Sequence, residues 1–164
     1  MKNAFVSKLQ LAMAVCVAVV IIGSSASAET ILAYGTRVGN AGNGSSHVAV
    51  PLNDSQATSL TFKTTAVNKL VKITYNAECA VSGPVGSYIS VSILVDGIEA
   101  NPASGIFFAL CTATNASTYT FTGAVRQSLI TVPAKGAHTV QVIVDLANAD
   151  AWWLGDSSIV VEQK

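Results

Sequence analysis

Apolar and polar residues alternate along much of the chain, and this alternation restricts the fold more than any other feature. In residues 70–81, Val71, Ile73 and Tyr75 begin a series in which every second residue is apolar up to Val81. A repeat of two residues is typical of a β-strand with one buried face. The other segments predicted to be strands are 30–34, 58–63, 88–95, 106–111, 117–125, 129–132, 138–144 and 158–162.

The number and spacing of these strands predict the fold class. No window of eleven or more residues after residue 28 has apolar residues at the i, i+3, i+4 and i+7 spacing of a helix. Turns rich in glycine, proline, asparagine and serine separate the strands, which is typical of two stacked antiparallel sheets. We therefore predict an all-β domain, a two-sheet antiparallel β-sandwich. No fixed repeat period is present, which argues against a propeller or a solenoid.

The residue types in two segments, 117–125 and 35–46, allow more specific predictions. In 117–125, β-branched threonine is favoured on the solvent side of a half-exposed sheet. The residues expected at the surface are Thr118, Thr120 and Thr122, and those on the opposite face are Tyr119, Phe121 and Val125. The glycine-rich segment 35–46 is predicted to be a flexible loop, because a phosphate cradle would need a helix directly after it and none is predicted.

The first 28 residues have the three-part pattern of a secretory signal. Lys2 and Lys8 precede an apolar run over 9–22, and Ala26 and Ala28 supply the small residues of a cleavage site. A retained anchor is the alternative, but the run falls short of the ~20 residues that a spanning helix needs. We expect cleavage after Ala28, a single domain over 29–164 with no membrane span, and a location that is secreted, periplasmic or at the cell surface.

Charge and composition exclude some classes of function. The whole chain is formally neutral, but losing Lys2 and Lys8 with the signal leaves seven basic against nine acidic residues, a net charge of −2. A nucleic-acid binder needs clustered Lys and Arg, so nucleic acid is not expected as a partner. Abundant Val, Ile and Leu argue against disorder.

Two cysteines remain after the signal, and an even pair in an exported protein is typical of a disulfide. Cys79 and Cys111 enclose 31 residues. A bond closing a loop of this length stabilises a domain by about 3.5 kcal/mol in the chain-entropy account. Buried free thiols are the alternative. A metal site is less favoured, because neither cysteine has a second Cys or a His at ligand spacing.

The sequence offers little for catalysis. His47 follows two serines beside the glycine-rich segment, and His138 stands in a turn that opens a strand, so both are interpreted as surface or turn residues. No G-x-S-x-G motif is present. We therefore expect a protein that is not an enzyme and has no catalytic residues, with a secreted hydrolase as the third hypothesis for its function.

Acids near the C-terminus are candidate calcium ligands. Asp145, Asp150 and Asp156 lie within twelve residues, and Asn148 adds an amide oxygen. Sandwich loops often supply such ligands, but the spacing fits no EF-hand-like pattern and acids also mark ordinary turns. Calcium is the one candidate cofactor. The preferred interpretation is that these acids lie in ordinary solvated turns and bind no metal.

Trp152 and Trp153 are candidates for a ligand site or an interface. Adjacent residues on a strand point to opposite faces, so at most one of them can lie in the core. The other is expected to stack on a sugar ring, to fill a subunit contact or to be covered by the segment 35–46.

Three stretches together resemble a known group of proteins. They are YNAECAV at 75–81, ILVDG at 93–97, and VPAKGAHTVQVIV at 132–144 followed by SSIVVEQ at 157–163. Their order is similar to that in small exported bacterial proteins whose domain resembles the jelly roll of the complement and tumour-necrosis-factor-like superfamily. The resemblance covers about residues 57–163 and implies a jelly-roll-like sandwich. Trp152-Trp153-Leu154 departs from the pattern, which has no need of large aromatics there.

The resemblance also bears on function. Members of this superfamily are commonly trimers and act by binding, with no shared catalytic residues. We therefore expect a non-enzymatic exported protein that acts through surface binding or self-association in the envelope, the matrix or at a host surface. Its partner is then itself, as a homo-oligomer such as a trimer, or another surface protein. The alternative is a carbohydrate-binding module, in which Trp152 or Trp153 would share an exposed groove with Tyr34, Tyr88 or Tyr119.

Overall fold

The computed structural model describes residues 29–39, 41–103, 109–114 and 120–164. The predicted signal at 1–28 lies outside these residues, as does Tyr119. The strands are β1 (Thr30–Arg37), β2 (Ala41–Asn43), β3 (Val48–Ala49), β4 (Leu60–Thr64), β5 (Lys69–Ser82), β6 (Tyr88–Val95), β7 (Ile98–Glu99), β8 (Ala109–Thr112), β9 (Thr122–Val132), β10 (Gly136–Ala147) and β11 (Ala151–Gln163). Within the part of the chain that is described, no helix is long and apolar enough to cross a membrane.

The strands form two antiparallel sheets packed against each other, which confirms the predicted β-sandwich. The first sheet has the order β1-β11-β5-β9, with β2 also beside β11. In the second sheet β10 and β6 are central, with β3 and β4 beside β10 and with β7 and β8 beside β6. Four pairings nest along the chain, namely β1 with β11, β4 with β10, β5 with β9, and β6 with β8. This nested pairing is the wrap of a jelly roll.

The core lies between the sheets and is built from the alternating residues that the sequence pattern identified. From β5, Val71, Ile73 and Tyr75 are at most 1% exposed, and Val140 and Val142 of β10 are fully buried opposite them. Burying side chains of this size stabilises the fold by about 1.5–3 kcal/mol each before the entropy of folding is counted. The apolar residues that recur at every second position therefore form a continuous core between the two sheets.

A disulfide joins the two sheets, as the cysteine pair predicted. Cys79 on β5 is bonded to Cys111 on β8, with the Cα atoms 6.3 Å apart. Both residues are buried. Disulfides form and persist in oxidising compartments such as the periplasm and the extracellular space.

The glycine-rich segment is more regular than predicted. β1 continues through Arg37, and β2 occupies 41–43 against β11. The reason is that β11 begins at Ala151 and not near residue 158, so it offers backbone partners that the sequence pattern did not reveal. Half of the predicted loop, residues 35–37 and 41–43, therefore belongs to strands of the first sheet.

The faces of β9 also differ from the prediction. Phe121 is 43% exposed and Val125 is 65% exposed, whereas Ser128 on the opposite face is buried. The strand continues to Val132, and its buried residues are Ser128 and Val132. The face that carries these two residues points into the core, and the face that carries Phe121 and Val125 does not. Val125 therefore lies on the outside of the first sheet.

Candidate functional site

The outside of the first sheet carries a surface of uncharged residues, which we call the outer neutral face. Its position follows from the register, because Tyr75 and Ile159 point into the core and their neighbours along each strand must point outward. One row of paired residues is Tyr34, Val160, Thr74 and Gln127, and the next row is Thr36, Ser158, Asn76 and Val125. None of these eight residues carries a formal charge.

Side-chain hydrogen bonds fix the middle of the outer neutral face. Gln127 Nε2 donates to Thr74 Oγ1 at 3.2 Å, and Asn76 Nδ2 donates to Ser158 Oγ at 3.3 Å. At opposite edges of the face, Tyr34 is 60% exposed and Val125 is 65% exposed. The face therefore combines polar groups that bond across strands with two large apolar side chains that lie open to solvent.

Paired charges border one end of the outer neutral face. Lys72 Nζ lies 2.6 Å from Glu29 Oε2 and 2.8 Å from Glu162 Oε2. The hydrogen bond from Lys72 lowers the pKa of the Glu29 carboxyl, and the hydrogen bonds to Glu162 and Glu29 raise the pKa of Lys72. Lys164 Nζ lies 3.5 Å from Glu29 Oε1. Two lysines therefore balance two glutamates, and the border adds little net charge to the face.

An open cleft borders the other end, at a β-bulge between Leu154 and Ser157 of β11. Its volume is about 460 Å³. Its lining includes Asn76, Glu78, Gly123, Val125, Asp156 and Ser158. Asp156 also accepts a hydrogen bond from the backbone N–H of Gly39 at 2.8 Å, so this carboxylate anchors the end of β1 as well as lining the cleft.

The two adjacent tryptophans lie on opposite faces of β11. Trp152 is 2% exposed, and its Nε1 donates to the Ser45 carbonyl at 3.1 Å. Trp153 is half-buried and pairs with Gly42 of β2. A Cβ on Gly42 would lie 2.6 Å from Cδ1 of Trp153, so the backbone of β2 lies directly against the indole. This covering by the segment 35–46 is the arrangement in which Trp153 offers least surface to a sugar ring.

The structure does not bring the three candidate calcium ligands together. Asp145 Oδ1 lies 3.3 Å from both Ser46 Oγ and His47 Nδ1, and Asp156 holds Gly39. Asp150 is an exposed loop residue. Among the residues that the structure describes, no three His, Cys, Asp or Glu side chains group in a way that would hold a metal ion.

His138 forms a cluster that sequence reasoning missed. It is 6% exposed, not a surface residue, and its ring packs on Phe62 with the centroids 5.4 Å apart. Nδ1 lies 2.7 Å from Asp96 Oδ2, and Nε2 lies 3.2 Å from both Thr64 Oγ1 and the Ala134 carbonyl. One signal was available, because His138 has the same strand parity as the buried Val140.

The surroundings of His138 show what this cluster can do. Both ring nitrogens are within hydrogen-bond distance of protein groups on β4, on the turn after β6 and on the turn before β10. A general base needs a nitrogen that can reach a substrate proton. The geometry therefore suits a clamp that ties one end of the sandwich together more than it suits acid–base catalysis.

The carboxylate of this clamp is held in its charged form. Burial by itself raises the pKa of Asp96, but the hydrogen bonds from His138 and Thr139 outweigh it, so the pKa lies below its ordinary value. Asp96 Oδ1 accepts from the Thr139 N–H at 2.8 Å. A group with a lowered folded-state pKa stabilises the fold above its unfolded pKa and loses that effect as the pH falls through the folded pKa.

This gives a test in the variant Asp96→Asn. Asparagine tolerates the left-handed backbone of this position, where φ is 51°, and it keeps an oxygen acceptor while losing the charge. We expect the wild type to exceed the variant in free energy of unfolding near neutral pH, and the gap to close on acidification, as measured by urea unfolding at a series of pH values. Asp150→Asn is the control for loss of a surface charge, and a gap for Asp96→Asn that is independent of pH would contradict this role.

Comparison with known proteins adds no functional assignment. No protein-family model and no curated protein matches the chain. Among solved structures, the crystal structure of dimeric latent PorU from Porphyromonas gingivalis matches at 12% sequence identity and a TM-score of 0.35. The match covers 87% of this chain and 14% of that protein's chain. A similarity of this size carries no argument about function.

Proposed function

We propose that the protein is an exported, non-enzymatic β-sandwich protein that acts by self-association through the outer neutral face. The observation that carries the proposal is the absence of charge over the eight residues of that face, with Tyr34 and Val125 exposed at its edges. Two copies meet on such a surface without like-charge repulsion and without burying unpaired charges.

Two further observations support this proposal. The disulfide between Cys79 and Cys111 suits an oxidising compartment, as expected for a secreted, periplasmic or cell-surface protein. The resemblance to the complement and tumour-necrosis-factor-like superfamily implies trimers and action by binding. The nested strand pairing of the sandwich agrees with that resemblance at the level of fold.

The geometry supports the non-enzymatic part of the proposal. His138 and Asp96 line a cavity, which is the arrangement that would favour a hydrolase. Both ring nitrogens of His138, however, already lie within hydrogen-bond distance of Asp96, Thr64 and the Ala134 carbonyl. A histidine committed in this way has little capacity to activate water or a nucleophile.

Sugar binding is the second candidate. The cleft at the bulge favours it, because amide, hydroxyl and carboxylate groups from Asn76, Ser158 and Glu78 converge there. Among the described residues, none that lines the cleft is aromatic, and β2 lies against Trp153. A sugar ring would therefore lack the stacking surface that such modules ordinarily provide, which places this candidate behind self-association.

The test of self-association is the mass of the protein over residues 29–164 at micromolar concentration, measured by light scattering after size exclusion. We expect a multiple of the monomer mass for the wild type. Val125→Glu should yield monomer, because it places a further negative charge at the edge of the outer neutral face, beside Glu78 and Asp156 in the lining of the same cleft. Val85→Glu is the matched control, since Val85 is 73% exposed and lies in the turn between β5 and β6. A monomeric wild type, or equal effects of the two variants, would count against the proposal.

A further inference from the structure

A second cavity lies at the end of the sandwich where β7 of the second sheet meets β9 of the first. We call it the seam cavity, and it is lined by Val95, Asp96, Ile98, Ile130, Val132 and His138 among others. Its volume is about 290 Å³. A backbone bridge between Asn101 and Leu129 closes the seam beyond it, with N···O distances of 2.8 and 2.6 Å. The cavity is therefore a bounded recess and not a continuous groove.

The walls of the seam cavity are mostly apolar. Val95 and Val132 are almost fully buried at its base, and Ile130 is half-buried. Ile98 is 64% exposed on a strand of only two residues. Apolar walls with a few convergent polar groups are the usual composition of a small-molecule site, and this volume is at the small end of the range for such sites. The size suits a ligand with one ring or a short branched chain.

Asp96 supplies the polar anchor of the seam cavity. Its Oδ1 accepts hydrogen bonds from the N–H and the hydroxyl of Thr139, and its Oδ2 lies 2.7 Å from His138 Nδ1. A carboxylate accepts about four hydrogen bonds, so Oδ2 retains capacity for one more. The Asp96 side chain is 46% exposed, which makes that capacity reachable by a ligand.

The charge of the lining decides the class of ligand. Among the described residues that line the cavity, none is Lys or Arg, and Asp96 is the one carboxylate. An apolar body carrying a hydrogen-bond donor with positive charge complements this lining, whereas an anion would face the Asp96 carboxylate, and the nearest titratable nitrogen in the lining, His138 Nδ1, is already hydrogen-bonded to that carboxylate. We propose that the seam cavity binds a small primary amine with a compact apolar group, the ammonium on Asp96 and the apolar group between Ile98 and Ile130.

The experiment is a titration of the ¹⁵N-labelled protein, residues 29–164, with benzylamine up to roughly 10 mM, since a ligand of this size binds at about millimolar concentration. Benzyl alcohol and benzoate are the neutral and anionic counterparts. We expect saturable shifts of backbone amides at 95–98, 130–132 and 134–138 with benzylamine, weaker shifts with benzyl alcohol, and none with benzoate. No shifts with benzylamine, or shifts of equal size with benzoate, would overturn the proposal.

Two variants locate the binding. Asp96→Asn should weaken benzylamine about tenfold, because it removes a charge-assisted hydrogen bond, and should leave benzyl alcohol unchanged. Ile98→Trp should abolish binding of both compounds by filling the mouth of the cavity. Val85→Trp is the matched control, because it adds the same side chain at an exposed valine elsewhere. Benzylamine binding that survives Ile98→Trp at full strength would place the ligand outside the seam cavity and refute the proposal.

Discussion

Replacing Trp152 with alanine should lower the free energy of unfolding by about 3–5 kcal/mol, the usual cost of truncating a buried tryptophan. Trp152 is 2% exposed and is among the largest fully buried side chains. The variant also removes the Nε1 donor of the Ser45 carbonyl and so loosens the segment that covers β11. Urea unfolding followed by circular dichroism measures the effect. Trp152→Phe keeps most of the buried area and allows measurement if the alanine variant does not fold.

The adjacent Trp153 provides a control of equal size. Because Trp153 is half-buried on the other face of β11, Trp153→Ala should cost only about 1–2 kcal/mol. Both variants replace a tryptophan by alanine at adjacent positions of β11. The difference between their losses of unfolding free energy therefore depends on the face of the strand on which each side chain lies. Equal losses in the two variants would mean that Trp152 is not the side chain that the core requires.

Removing the disulfide is the other change with a large expected effect. The double variant Cys79→Ala/Cys111→Ala should lose about 3.5 kcal/mol of unfolding free energy, because the bond closes a loop of 31 residues. It also joins β5 of the first sheet to β8 of the second. Reduction of the wild type should lower its free energy of unfolding by a similar amount, which lowers its urea midpoint. The double variant should be unaffected by reductant.

Thiol labelling checks the same bond independently. Without reductant, we expect no free cysteine in the protein over residues 29–164, and with reductant we expect two. A wild type that labels without reductant, or a midpoint that reductant does not change, would show that the bond does not form in solution. Such a result would also weaken the argument for an oxidising compartment.

The sequence predicted those parts of the fold that depend on local periodicity. The alternation in β5 and β10 identified the buried valines, because a strand has only two faces and one of them must be apolar in a sandwich. The same rule placed the two tryptophans on opposite faces of β11. The even number of cysteines after the signal predicted the bond between Cys79 and Cys111, and both residues lie at buried positions of β5 and β8.

Features that depend on pairing between distant segments were missed. The alternation over 117–125 placed Val125 on one face with Tyr119 and Phe121, but the register of β9 against β5 places it opposite Asn76 on the outside. β2 consists of Ala41, Gly42 and Asn43, which have little strand propensity, and it forms because β11 offers free backbone groups. His138 and Asp96 are 42 residues apart in the sequence, so the local pattern around either residue does not predict their contact.

The jelly-roll wrap places the two outermost strands of the chain side by side. β1 and β11 are antiparallel, so Thr30 lies opposite Gln163, and Lys164 Nζ is 3.5 Å from Glu29 Oε1. Tension applied between these positions would load the β1–β11 hydrogen bonds one pair at a time, as in a zipper, and not all together as in shear. Since each hydrogen bond contributes only about 1 kcal/mol, the sandwich would peel open from this edge at low force. The Cys79–Cys111 bond would then limit the length of chain released.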